Sequence, residues 1–103
     1  MSIKAYHFWS PTCGPCKHIE PAIRQLKQDF GEVNWVSVNT HDDKDNLALV
    51  HNVRVVPTIV VQVKDYDGNS LGFQRASGVD MMQYHRMIRQ AIRVVSQLNT
   101  KKM

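Results

Sequence analysis

Cys13 and Cys16 are the residues whose type and spacing are best suited to chemistry. The chain has two cysteines, three positions apart, with Gly14 and Pro15 between them. On the first turn of a helix, residues three apart have Cβ atoms about 5–6 Å from each other, which is near the spacing that a disulfide needs. A bridge this short closes almost no loop and therefore stabilises a folded chain little. The pair is typical of redox chemistry rather than of a structural staple.

A helix that begins at this pair would give the two thiols different roles. The unpaired backbone N–H groups and partial positive charge of a helix N-terminus favour a thiolate and can bring its pKa down to around 7. We therefore expect Cys13 to be the nucleophile and Cys16, one turn deeper, to attack the mixed disulfide between Cys13 and a substrate. Gly14 would let another chain approach closely, and Pro15 suits an early helical position.

Two other interpretations of the cysteine pair are half of a zinc site and an accidental pair of buried cysteines. Structural zinc normally takes four ligands from two such pairs, and the sequence has no second Cys-x-x-Cys and no closely spaced histidine pair. Gly-Pro between the cysteines, at a junction of strand and helix, favours redox function over both alternatives. We expect it to need no metal and no bound organic cofactor.

The composition is that of one small soluble domain. The chain has 103 residues, of which 43% are hydrophobic, enough for one modest core. No segment approaches the roughly 20 apolar residues of a membrane span, and the first residues lack a signal-peptide core. The net charge of +4 is spread along the chain. We therefore expect a cytoplasmic monomer that binds neither membranes nor nucleic acid.

Apolar residues at regular spacing predict the elements that position the pair. Strands are predicted over residues 3–9, 33–39, 58–64 and 71–75, and helices from near Cys13 to Gly31, around residues 47–50, and from Asp80 to Leu98. We expect Asp42 or Asp43 to cap the middle helix.

The order of these elements, β-α-β-α-β-β-α, predicts an α/β fold. Strands that alternate with helices favour parallel pairing at the start of the chain. The turn residues Asp67, Gly68 and Asn69 favour an antiparallel hairpin between the last two strands. We expect a single domain over residues 1–103, with a mixed sheet and helices on both faces.

Two segments of the sequence resemble the thioredoxin family. Residues 8–17, Phe-Trp-Ser-Pro-Thr-Cys-Gly-Pro-Cys-Lys, are similar to the active-site segment of that family. Residues 53–58, Val-Arg-Val-Val-Pro-Thr, are similar to its second signature, in which a cis-proline precedes a strand and faces the cysteine pair. Gly78 resembles the glycine that completes the family's substrate groove. The resemblance extends from Ile3 to Leu98 and implies the thioredoxin fold in its minimal form.

The resemblance implies a reductase of protein disulfides that works by dithiol-disulfide exchange. Its substrates would be disulfide-containing proteins, and a reductase or another electron donor would reduce the cysteine pair again. Pro57 would be cis, the alternative being an ordinary trans proline at the start of a strand, and the backbone of Val56 would pair with an extended substrate. The residues implied in substrate binding flank or face the cysteines: Thr12, Gly14, Pro15, Val56, Pro57 and Gly78.

The same residues are also compatible with three other functions. They are a disulfide isomerase or oxidant, a glutaredoxin-like protein that uses glutathione, and a binding subunit whose redox activity is incidental. Gly14-Pro15 between the cysteines favours a reduction potential near thioredoxin's, roughly −270 mV, over the roughly −120 mV of a strong oxidant.

Three positions depart from the family pattern. Thr12 stands where the family usually has a tryptophan, so we expect weak recognition by a standard thioredoxin reductase. His7 stands where the family has a buried acid that helps deprotonate the resolving cysteine, and Ser37 lies about where a lysine partners that acid. Our hypothesis is that His7, kept neutral by burial, is the catalytic base for Cys16. The alternative is a hydrogen-bonded core histidine.

The last predicted helix carries a row of basic residues: Arg86, Arg89, Arg93, Lys101 and Lys102. Such a row is usually a solvated helix face. The sharper alternative is a docking face for an acidic protein or a nucleic acid, which would show salt-dependent affinity.

Overall fold

The computed structural model describes the backbone of residues 2–102 and the side chains of residues 2–98. The elements follow the predicted order and are β1 Ser2–Trp9, α1 Gly14–Asp29, β2 Asn34–Asn39, α2 Leu47–Val50, β3 Thr58–Lys64, β4 Ser70–Ser77 and α3 Met81–Lys102. No helix in this part of the chain is both long and apolar enough to cross a membrane.

The four strands form one mixed sheet in the order β2-β1-β3-β4. β1 and β2 are parallel, as expected for strands joined by a helix, while β3 runs antiparallel to both β1 and β4. The parallel pairing therefore ends with β2, because the connection that follows contains only the short helix α2 and leads β3 to the opposite side of β1. The expected α/β class with a mixed sheet is confirmed.

Alternate residues of β1 supply two separate cores on opposite faces of the sheet. Ile3 and Ala5 pack in the larger core with buried residues of α1 and α3. Tyr6 and Phe8 pack in the smaller core, against which partly buried residues of α2 lie. Helices thus cover both faces, as predicted.

α1 presents the apolar stripe that the sequence predicted, with Ile19, Ile23 and Leu26 buried at helical spacing. The helix ends at Asp29, before Gly31, because Phe30 already has non-helical angles of φ −116° and ψ 57°. The N–H of Phe30 still donates to the carbonyl of Leu26 at 3.0 Å.

Asp43, not Asp42, satisfies the first turn of α2, although the N-cap position itself is Asn46, whose side chain makes no capping hydrogen bond. The two carboxylate oxygens of Asp43 accept the backbone N–H groups of Leu47 and Ala48 at 2.9 and 2.8 Å. These are donors of the first turn that have no partner inside the helix, so the carboxylate of Asp43 supplies the acceptors they lack.

The hairpin between β3 and β4 forms as predicted, but β4 is longer than expected. Ala76 and Ser77 continue the pairing opposite Ile59 and Thr58, so the strand reaches the residue before Gly78. This extension sets Gly78 beside the N-terminal end of β3, close to the cysteine pair described next.

Candidate active site

The cysteine pair forms a disulfide at the N-terminus of α1. The Cα atoms of Cys13 and Cys16 lie 5.2 Å apart. Cys13 is the N-cap residue, and its Sγ accepts the backbone N–H of Cys16 at 3.1 Å. The first thiol therefore lies where unpaired helix donors stabilise negative charge, as the sequence predicted. Gly14 and Pro15 occupy the exposed first turn.

Val56, Pro57 and Gly78 lie on the Cys13 side of the disulfide, and we call these three residues the cysteine groove. Sγ of Cys13 lies 3.7 Å from the carbonyl oxygen of Val56. The Val56–Pro57 peptide bond is cis, which confirms the geometry implied by the family resemblance. The N–H of Gly78 donates to the carbonyl of Pro57 at 3.0 Å.

Gly78 and α3 hold the shape of the cysteine groove. Gly78 has a φ of +103°, in the region that favours glycine. The hydroxyl of Tyr84 donates to the carbonyl of Gly78 and lies 3.4 Å from the carbonyl of Pro57. Burial raises the pKa of Tyr84 to about 12, so this hydroxyl keeps its proton.

Sequence reasoning missed three exposed apolar side chains beside the cysteine groove. Val55 precedes Val56, and Val79 and Met82 follow Gly78; each is more than half exposed, at 58%, 51% and 57%. Their position next to Pro57 and Gly78 in the sequence was the available signal. Thr12 is likewise exposed, next to Cys13, with no bulky ring covering that surface.

A second depression borders the Cys16 side of the disulfide. This cleft of about 500 Å³, which we call the histidine cleft, is lined by residues that include His7, Cys16, Lys27 and Ser37. His7 and Ser37 are opposite each other on β1 and β2. The hydroxyl of Ser37 accepts the indole N–H of Trp9 at 2.8 Å. The fold thus brings the sequence-predicted pair His7 and Cys16 to one cavity.

His7 is nearly buried, with 8% of its surface exposed, yet its Nδ1 has no hydrogen-bond partner. A fully hydrogen-bonded core histidine therefore does not describe this residue. Desolvation by burial, and then the charge of Lys27, lower the pKa of His7 to about 4. The imidazole is neutral at pH 7, as expected, but it is also a weaker base than an ordinary histidine.

Lys27 is a member of the histidine cleft that sequence reasoning missed. It follows the buried Ile23 by four residues, so it lies on the same side of α1 and faces the sheet. It is partly buried, and burial lowers its pKa. The sequence signal was a lysine at a position of the apolar stripe.

The remaining candidates lie away from the disulfide. Arg86, Arg89 and Arg93 are exposed on α3, as expected, while the side chains of Lys101 and Lys102 lie outside the described residues. Within residues 2–98, no group of three His, Cys, Asp or Glu side chains is placed to hold a metal ion.

Comparisons with known proteins agree with this geometry. The family model described as Thioredoxin matches residues 5–82. A chloroplastic thioredoxin M-type of Zea mays is 42% identical over 55 residues, covering 52% of this chain and 32% of that protein. A thioredoxin of Mycoplasma genitalium is 39% identical over 54 residues, covering 52% of each. The chain thus spans about one third to one half of the length of these curated relatives.

Solved structures show the same fold over most of the chain. Mitochondrial thioredoxin 3 of Saccharomyces cerevisiae, in its oxidised form, matches with a TM-score of 0.71 and 26% identity, covering 86% of this chain and 78% of that one. Fasciola hepatica thioredoxin matches with a TM-score of 0.71 and 24% identity, covering 87% and 81%. Since the family model covers more than half of the chain and includes both cysteines, Pro57 and Gly78, the chain belongs to the thioredoxin family.

Proposed function

We propose that this protein reduces disulfides of other proteins by dithiol-disulfide exchange at Cys13 and Cys16. The observation that carries the proposal is the position of Cys13: it caps α1 and lies 3.7 Å from the main-chain carbonyl of Val56, where a substrate's main chain would pass. Attack on a bound disulfide requires a thiolate and a substrate held beside it. The helix N-terminus stabilises the thiolate, and the neighbouring main-chain groups can hold the substrate.

The exchange takes place in two steps in this proposal. The Cys13 thiolate attacks one sulfur of the substrate disulfide, so a Cys13–substrate bond forms, the substrate S–S bond breaks, and the leaving thiolate takes up a proton. The Cys16 thiol then loses its proton and attacks Sγ of Cys13, which releases the second substrate thiol and forms the Cys13–Cys16 disulfide. The substrate gains two electrons and two protons, and an external donor must return them to the protein.

The substrate is proposed to bind in extended form along the cysteine groove. The backbone of Val56 offers hydrogen-bonding groups at the level of Cys13, with Pro57 and Gly78 completing the wall. Thr12, Gly14 and Pro15 form the opposite, exposed border, and a Cβ added at Gly14 would meet no atom within 4 Å. Because main-chain atoms make the contacts, this mode of binding accepts many sequences.

His7 is proposed to accept the proton of Cys16 in the second step. Its Nδ1 is unpaired, and both residues line the histidine cleft. Its low pKa opposes this transfer, whereas attraction between the resulting imidazolium and thiolate in a poorly solvated cleft favours it. We expect His7→Ala to slow decay of a Cys13 mixed disulfide and to change its pH profile. An unchanged profile would remove His7 from the reaction.

The proposed function is tested by insulin reduction together with the reduction potential of the pair against glutathione buffers. We expect rapid turnover and a potential near −270 mV, roughly that of thioredoxin. Cys13→Ser should abolish turnover, while Cys16→Ser should accumulate a mixed disulfide with insulin. Turnover that survives in Cys13→Ser would overturn the proposal, and a potential near roughly −120 mV would favour an oxidant instead.

A reductase is the proposed class of electron donor, although its identity is not assigned, and Thr12 is proposed to slow reduction by a standard thioredoxin reductase. Thr12 is exposed beside Cys13 and offers no aromatic surface. We expect slow reduction of the wild-type protein and faster reduction of Thr12→Trp. Full-rate reduction of the wild type would contradict this role of Thr12. A monomeric state and a cytoplasmic location stay predictions from the sequence.

A further inference from the structure

The histidine cleft carries more positive charge than its own residues neutralise. Lys17, Arg24 and Lys27 line it together with one carboxylate, that of Glu20. Glu20 forms an ion pair with Arg24 at 3.1 Å. Within the described part of the chain, neither Lys17 nor Lys27 forms an ion pair, although Lys27 lies 5.9 Å from the ring centre of Trp35. Two cationic side chains are therefore available to a ligand.

The imidazole of His7 also lines the cleft. More than nine-tenths of the His7 surface is buried, and Nδ1 is inaccessible to solvent and makes no hydrogen bond. Burial keeps this imidazole neutral at pH 7, so the positive charge of the cleft comes from the lysines and Arg24.

The walls between these polar groups are apolar. The indole of Trp9, the ring of Pro11 and the side chain of Ile23 line the cleft. Its volume of about 500 Å³ lies within the range of ligand pockets, roughly 300–1,000 Å³. A cleft lined by both cationic and apolar side chains fits an amphipathic molecule better than an inorganic ion.

We propose that the histidine cleft binds a small organic anion with an apolar body, of which an aromatic monocarboxylate is the simplest example. The carboxylate would accept from Lys27, and the ring would pack against Trp9 and Ile23. The negative charge of a carboxylate there would also counteract the effect of burial, which lowers the pKa of Lys27. The site lies beside Cys16, on the opposite side of the disulfide from the cysteine groove.

The probe for this proposal is benzoate, with benzamide as its uncharged counterpart. Each is titrated into the oxidised 103-residue chain while the indole N–H signal of Trp9 and the ring signals of His7 are followed by nuclear magnetic resonance. We expect a saturable shift with benzoate, and binding of benzamide about tenfold weaker or undetectable, because charge-assisted hydrogen bonds are lost. Added salt should weaken benzoate binding.

Two lysine variants test the position of the anion. Lys27→Met removes the charge and keeps an unbranched side chain that is one atom shorter, so we expect about tenfold weaker benzoate binding. Lys44→Met is the matched control, because Lys44 is exposed on the connection between β2 and α2, outside the cleft. We expect its affinity to equal that of the wild type.

The proposal is overturned by any of three results. The first is the absence of a saturable shift up to the solubility limit of benzoate, which would mean that the cleft holds only water. The second is equal affinity for benzoate and benzamide. The third is an unchanged affinity for benzoate in Lys27→Met. Because binding is measured on the oxidised protein without turnover, these results leave the proposed reductase function untouched. A failed insulin assay would likewise leave this site untouched.

Discussion

The two sides of the Cys13–Cys16 disulfide present different kinds of atoms. On the Cys13 side, the cysteine groove presents main-chain groups that are held by hydrogen bonds, such as the one from the N–H of Gly78 to the carbonyl of Pro57. On the Cys16 side, the histidine cleft consists of side chains, with an unpaired Nδ1 on His7 and a partly buried Lys27.

In the proposed function, this difference separates substrate recognition from proton transfer. Main-chain groups keep their geometry when neighbouring side chains change, so the cysteine groove depends on few residue types beyond a proline and a glycine. Protonation beside Cys16 depends instead on burial and on nearby charge, both of which a single substitution can change. Substitutions in the histidine cleft should therefore change pH dependence, and substitutions behind the cysteine groove should change stability and substrate binding.

The largest expected effect is on the acid stability of His7→Leu. The pKa of His7 is about 4 in the folded protein and 6.5 in the reference state, so the unfolded chain binds more protons between these values. Stability that is present above pH 6.5 is therefore lost as the pH falls towards 4, by about 3 kcal/mol for this residue. In His7→Leu, the free energy of unfolding measured with urea should fall less between pH 7 and pH 4 than in the wild type, by this amount.

His18→Leu is the matched control for this measurement. His18 lies on α1 but is exposed, so this variant should keep the pH dependence of the wild type. If His7→Leu and the wild type lost the same stability between pH 7 and pH 4, the burial of an unprotonated imidazole on the Cys16 side would be wrong.

The second effect concerns Tyr84, which supports the cysteine groove from α3. Tyr84→Phe removes the donor to the carbonyl of Gly78 and leaves that carbonyl without this partner. We expect the free energy of unfolding to fall by about 1–2 kcal/mol. KM for a protein disulfide should rise, while the reaction of Cys13 with a small disulfide should keep its rate. A slower reaction with the small disulfide would mean that Tyr84 acts on the thiol itself.

Local patterns in the sequence predicted most elements of the fold. β3 begins at Thr58 and ends at Lys64 as predicted, because Pro57 and Asp65 interrupt the apolar run at either end. The proximity of Cys13 and Cys16 could likewise be predicted, since their spacing matches one helical turn. Features of this kind depend on neighbours in sequence, which a single chain displays directly.

Features that depend on packing between distant elements were not predictable. β3 lies on the opposite side of β1 from β2 and runs antiparallel to β1, and residues 58–64 on their own indicate neither its position nor its direction. The unpaired Nδ1 of His7 and the entry of Lys27 into the cleft both depend on how α1 sits on the sheet. The periodicity of apolar residues places Lys27 on a helix, but it does not indicate which groups lie near the charged end of this side chain.

The smallest expected effect tests whether charge as well as burial acts on the Cys16 side. Burial is the larger cause of the low pKa of His7 and the charge of Lys27 the smaller one. In Lys27→Met, the pKa of His7 should therefore rise above about 4 but stay below 6.5, as followed by nuclear magnetic resonance of the ring. Lys17→Met is the control, because Lys17 lines the same cleft but is exposed and should leave the pKa of His7 unchanged. A pKa that does not move in Lys27→Met would assign the whole effect to burial, and the two sides of the disulfide would then differ in solvation rather than in charge.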